Sequence, residues 1–153
     1  MSNSAKNLLL MKFMPGGPDF GLLVLRLLVS GSLFLKHGWE KPTNFAAMAA
    51  HFPDPLHIGP VPSLMFALAS DAICSVLVAL GLATRWAALI CAINIGVAWA
   101  FVHHFAFFAR EGGDHGEVCF LYISVYLGIF FAGAGRYSID TMIGRSRKTV
   151  AGF

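Results

Sequence analysis

Between Trp86 and Ala109 the sequence contains no Asp, Glu, Lys or Arg, and nothing else in the chain limits its folding so strongly. About 20 mostly apolar residues are enough for a helix to cross the roughly 30 Å hydrocarbon core of a bilayer. In lipid the backbone must satisfy its own hydrogen bonds, which restricts spanning structures to helices and closed barrels. Three further stretches have the same character. Residues 20–37 carry one charge in their interior, Arg26, with Lys36 at their end; residues 62–83 carry one, Asp71; residues 117–135 carry an acid only at their start, Glu117. With 57% hydrophobic and 12% charged residues, a soluble domain of this size lacks the volume to hide its apolar surface. The expectation is an all-α fold: a four-transmembrane-helix bundle forming one membrane domain over 20–136, with spans at about 20–37, 62–83, 86–109 and 117–135.

The connections are unequal. Residues 38–61 hold Pro42, Pro53, Pro55 and Pro60, with Pro62 just beyond, and proline inside a helix removes a donor and clashes with the preceding turn. This segment reads as a long external loop, in which Thr43–His51 can form a short interfacial helix capped by Thr43 or Asn44. Thr84 and Arg85 alone join the second and third spans, so these must be antiparallel neighbours. The polar turn REGGDH joins the third and fourth. Residues 1–19, with an apolar patch from Leu8 to Met11 too short for a signal peptide, read as a cytoplasmic lead-in, and residues 137–153 as a cytoplasmic tail.

Lys and Arg in short loops set membrane orientation. Lys6, Lys12, Arg85, Arg136, Arg145, Arg147 and Lys148 fall on one side; Lys36, Lys41 and Arg110 fall on the other. This asymmetry places both termini in the cytoplasm, with Trp39, Trp86 and Trp99 as anchors near span ends. The basic balance does not point to nucleic acid, because no basic run is interleaved with exposed aromatics.

Charges within spans are costly unless paired or solvated, and they mark candidate sites. Arg26 and Asp71 on neighbouring helices can pair directly, as a structural lock or as part of a ligand- or proton-coupled site. Helical spacing places Arg26, Ser30, Leu33 and His37 on one face, Ala67, Asp71, Cys74 and Val78 on another, and Glu117, Leu121, Ser124 and Gly128 on a third. Small and polar residues suit helix interfaces, so all three faces are expected to point inward. A second cluster is expected at the outer end, where His37, His103, His104 and Glu117 meet, with His51, His57 and His115 in adjoining loops. Imidazoles and a carboxylate can pass protons. Metal or haem is disfavoured, because no HxxxH spacing accompanies them and one HxxE, His37–Glu40, is too weak a signal to carry a metal. Cys74, Cys91 and Cys119 lie in apolar surroundings and read as packing residues. Gly133-Ala134-Gly135 lacks the βαβ context of a dinucleotide site and reads as a helix stop.

The ordered signals resemble the DoxX family: Arg26 in the first span, FLKHGWEK at 34–41, an acid in the second span, LGLATRWAAL at 80–89, His103, Glu117, and GAGRYSID at 133–140. The resemblance covers roughly residues 20–140. It implies a small four-helix bacterial inner-membrane protein, related to a subunit of thiosulfate:quinone oxidoreductase. By motif it singles out Arg26, His37, Gly38, Lys41, Asp71, Arg85, His103, Glu117 and Asp140, with Asp71 standing where relatives usually have Glu. The function it suggests is a membrane subunit of, or accessory to, a quinone-linked redox system, working with a protein partner. Quinone would lie between helices near His37, His103 and Glu117. The alternatives are a non-catalytic anchor or assembly subunit, and a small transporter or proton relay.

Overall fold

The computed structural model describes residues 17–108 and 116–150 together with Asn7, and the side chains of 145–150 are not described. The Leu8–Met11 patch, the whole REGGDH turn including His115, and the end of the tail lie outside the described residues. Every regular element among the described residues is helical. Three helices are long and apolar enough to cross a membrane: α1, Pro18–Thr43; α3, Pro60–Leu80; and α4, Thr84–Val102. A short α2, Phe45–Ala49, lies between the first two. A shorter apolar helix, α5, Gly116–Ala132, follows α4, and α6, Ile139–Val150, closes the described chain. This is a helical membrane bundle. α4 packs most extensively on α5, and α1 on α3.

Several boundaries have plain local causes. α1 starts with Pro18 in its first turn, where a missing N–H costs nothing. It then runs past His37 to Thr43, so Glu40 and Lys41 are helix residues rather than loop residues. Thr43 does not cap α2: its hydroxyl turns back to the carbonyls of Trp39 and Glu40, both at 2.9 Å. Asn44 makes no capping bond either. A threonine one turn past free carbonyls satisfies them before it can serve a new helix. The start of α3 is organised from a distance. Asp54 accepts from the Ile58 N–H at 3.0 Å, the Gly59 N–H at 2.8 Å and the Ser63 hydroxyl at 2.8 Å. The link between α3 and α4 is Gly81-Leu82-Ala83, with Gly81 in the left-handed region at φ +73°. Thr84 and Arg85, expected as the linker, form instead the first turn of α4.

Each of the three long helices contains a stretch wound to i→i+5 bonding: Phe34–Gly38, Ala69–Cys74 and Ala98–Val102. Such bulges add a residue to a turn and rotate the face that follows. The core joins Leu33, Cys74, Val78, Ala87, Ala88, Cys91, Ala92, Ile95, Tyr126 and Ile129. Here the small residues of α4 make room for aromatic side chains of α5. The inward face of α5 therefore carries Tyr122, Tyr126 and Ile129, and the expected stripe of Glu117, Leu121, Ser124 and Gly128 is exposed. Close packing explains the reversal, because small residues on one helix accept large ones from its neighbour. The α1 and α3 stripes do face inward: Arg26, Ser30, Leu33, Ala67, Asp71, Cys74 and Val78 are all buried, and His37 is half-buried.

Candidate functional site

The charges buried inside the bundle fall into two clusters at opposite ends of the α1–α3 pair. At one end Lys41, 7% exposed, meets Asp71, 5% exposed. The Lys41 ammonium donates to Asp71 Oδ2 at 2.7 Å and to the His37 carbonyl at 2.9 Å. The Asn94 amide of α4 donates to Asp71 Oδ1 at 3.0 Å. Three helices thus converge on one carboxylate whose two oxygens are both bonded. Burying two charges costs several kcal/mol per ion, and contact plus added hydrogen bonds is what offsets that cost. Gly38 lets the helices come this close: a Cβ there would lie 2.9 Å from the Asp71 carbonyl carbon and 3.1 Å from Ala72 Cα.

Arg26 is not the partner of Asp71. Fully buried, it reaches the opposite end of α3, donating to the Val78 carbonyl at 3.3 Å and the Tyr137 carbonyl at 2.5 Å. Val78 lies in the last turn of α3, where a cation is favourable, and its carbonyl also accepts the Gly81 N–H at 3.1 Å. Asp140 works beside it, accepting from the Ala83 N–H at 2.8 Å, the Thr84 N–H at 3.0 Å and the Thr84 hydroxyl at 2.8 Å. Its carboxylate caps α4 from a segment more than fifty residues away. Burial pushes the Asp140 carboxyl up, but the bonds from Thr84 and Ala83 and the nearby Arg26 charge outweigh it, holding the carboxyl below its ordinary value. Arg85 lies beside Gly133 at the same end. The GAGRYSID segment is therefore bound to the α3–α4 turn.

Of the expected outer His–Glu cluster, His115 lies outside the described residues. His37 is half-buried one turn before Lys41, and His103 is half-buried just past α4. His104 turns outward with φ +50°. His51, His57 and Glu117 are exposed. Glu117 starts the outward stripe of α5, with its backbone N–H held by the Phe107 carbonyl at 3.3 Å. Among the described residues no three His, Cys, Asp or Glu side chains come together as a metal site. Trp99, near the end of α4, packs against Phe105, Phe107 and Phe120 and donates to the Ala106 carbonyl.

Spacing alone does not single out several polar residues that the fold brings into play. Asn94 is one, an isolated amide in an otherwise apolar span. Ser32 and Tyr122 are two more, their hydroxyls 2.6 Å apart across α1 and α5. They belong to an open, mainly apolar groove of about 620 Å³, walled by Val24, Leu25, Leu28 and Val29 of α1 and Val118, Leu121 and Val125 of α5. Deeper in the bundle the hydroxyls of Ser30, Ser70 and Tyr126 are buried without a hydrogen-bond partner among the described residues. Of these, spacing marks only Ser30, one turn from Arg26.

A family model described as DoxX matches residues 21–104. A protein of Haemophilus influenzae, described as uncharacterized, is 30% identical over 131 residues, which cover 83% of this chain and 85% of that protein. No solved structure matches.

Proposed function

The chain belongs to the DoxX family of membrane proteins, and from that premise we propose that it is a four-span inner-membrane subunit of a quinone-linked redox system with both termini in the cytoplasm. The observation that carries this reading is the groove between α1 and α5. Ligand sites are concave and mostly apolar, with a few polar groups that fix orientation. This groove has apolar walls and one hydroxyl pair, Ser32 and Tyr122. Within the pair one O–H is used as donor and the other remains to donate to a ligand carbonyl. A bound quinone would supply two-electron, two-proton chemistry, with electrons arriving from a partner protein. The chain's own part is to orient the ring through Tyr122 and Ser32, and to hold its apolar tail along Val24, Leu25 and Leu28. This reading seats the quinone between α1 and α5 rather than among His37, His103 and Glu117.

Quinone binding to the protein in nanodiscs, titrated with a short-chain ubiquinone analogue, tests the reading. Tyr122→Phe should weaken binding about five- to tenfold, the scale of one net hydrogen bond. Equal affinity for the wild type and the Tyr122→Phe, Ser32→Ala double variant, or no saturable binding at all, would refute it. A second reading, a non-catalytic anchor, draws support from Arg26 and Asp140, whose side chains tie elements together. Loss of a partner complex on deleting the protein, with Tyr122→Phe harmless, would favour the anchor.

A further inference from the structure

At the end of the bundle marked by Arg26 and Asp140, an open cleft of about 490 Å³ is lined by Thr84, Arg85, Trp86, Gly133, Gly135 and Asp140. Its charges are unevenly satisfied. Asp140 is taken up by the first turn of α4. Asp19, the other acid at this end, lies in the first turn of α1 and accepts the Arg136 backbone N–H at 2.8 Å. Both carboxylates thus face positive helix ends. Arg26 is buried and bonded. Two exposed guanidinium groups remain here among the described side chains: Arg85, which lines the cleft with no hydrogen bond or ion pair among the described residues, and Arg136, which follows the lining residue Gly135 and lies 6.0 Å over the Tyr137 ring. Gly133 leaves room for Arg85, since a Cβ at Gly133 would lie 3.2 Å from its Nη2.

Beside these cations lies an exposed apolar surface. Trp86 is 72% exposed, and Met142 and Ile143 of α6 project without cover. The α6 sequence continues with Arg145, Arg147 and Lys148. Tryptophan sits where headgroups meet acyl chains, and an amphipathic basic helix lies in the same layer.

We propose that this cleft binds the phosphate of an anionic phospholipid, with Arg85 and Arg136 holding the headgroup and Trp86, Met142 and Ile143 lying against its acyl chains. Charge complementarity selects an anion, and the adjoining apolar surface selects a lipid over a soluble phosphate. The site lies at the opposite end of the bundle from Lys41 and Asp71 and does not depend on the quinone groove.

Native mass spectrometry of the full chain, released from nanodiscs of mixed phosphatidylglycerol and phosphatidylcholine, tests the assignment. The expected result is about tenfold preferential retention of phosphatidylglycerol, the scale of one or two basic groups at an anionic surface. That preference should fall severalfold in Arg85→Gln and again in the Arg85→Gln, Arg136→Gln double variant. Millimolar inorganic phosphate should leave it intact. Equal retention of the two lipids, an unchanged preference in the double variant, or displacement by phosphate alone would each overturn the proposal. If Arg85→Gln does not fold, the salt dependence of retention by the wild type decides, since headgroup binding through two guanidinium groups must weaken with ionic strength.

Discussion

Replacing Asp71 with Asn tests the buried charge cluster most directly. At 2.7 Å and an effective dielectric of about 20, the attraction between Lys41 and Asp71 is about 6 kcal/mol. Desolvation of both ions absorbs much of that gain. The loss on removing one partner is set instead by the charge left behind, about 3–5 kcal/mol for a buried pair. Lys41 keeps only the His37 carbonyl as a described acceptor. Some of the loss is recovered if its long chain reaches toward the interface, so about 3 kcal/mol is the expected cost. The assay is reversible unfolding in detergent micelles, run as two double-mutant cycles. Asp71→Asn combined with Lys41→Met should show a coupling of about 2–3 kcal/mol, because the double variant leaves no charge unpaired. Asp71→Asn combined with Arg26→Met should be additive within about 0.5 kcal/mol, because Arg26 binds at the other end of α3. Strong coupling to Arg26 and none to Lys41 would refute the placement of the pair.

Other consequences can be measured the same way. Gly38→Ala should destabilise by about 1–3 kcal/mol, because the added methyl meets the Asp71 backbone rather than a movable side chain; unchanged unfolding would show that the helices do not approach there. Tyr126→Phe should be neutral or stabilising by about 1 kcal/mol, since the buried hydroxyl has no partner among the described residues; a loss above 1 kcal/mol would show that it does. The Asp140 carboxyl is held below its ordinary value, so its contribution is present above the unfolded pKa of about 4 and lost as pH falls through the lower folded pKa. Melting temperature between pH 7 and pH 3 should therefore drop at the acid end, and Asp140→Asn should flatten that drop while lowering stability at pH 7.

Hydropathy alone makes much of the architecture legible. A stretch such as 86–109 has one low-energy solution in lipid, and period-3.6 spacing puts Arg26, Ser30 and Leu33, or Ala67, Asp71 and Cys74, on a common face. Those readings depend only on local backbone geometry and the cost of exposing polar groups to hydrocarbon. The same reasoning failed for α5, because both of its faces are apolar. Where α4 already supplies Ala87, Ala88, Cys91 and Ala92, it is the large residues of α5 that fill the interface.

Pairing was a different problem. Sequence placed one cation and one acid in adjacent spans, and Arg26 with Asp71 was the economical match. The fold decided otherwise through length and register. α1 continues past His37 far enough to carry Lys41 back over Asp71. Arg26 instead meets the carbonyls of Val78, two turns farther along α3, and of Tyr137. Asn94 and the Ser32–Tyr122 pair enter for the same reason, since a lone polar residue acquires a role only from what the neighbouring helix places opposite it. By itself the sequence determined that the chain lives in a membrane as helices and which residues would be costly to bury there. Only the tertiary structure decided which of those residues meet, because contact depends on helix ends, bulges and relative depth, and these are set by packing rather than by spacing along the chain.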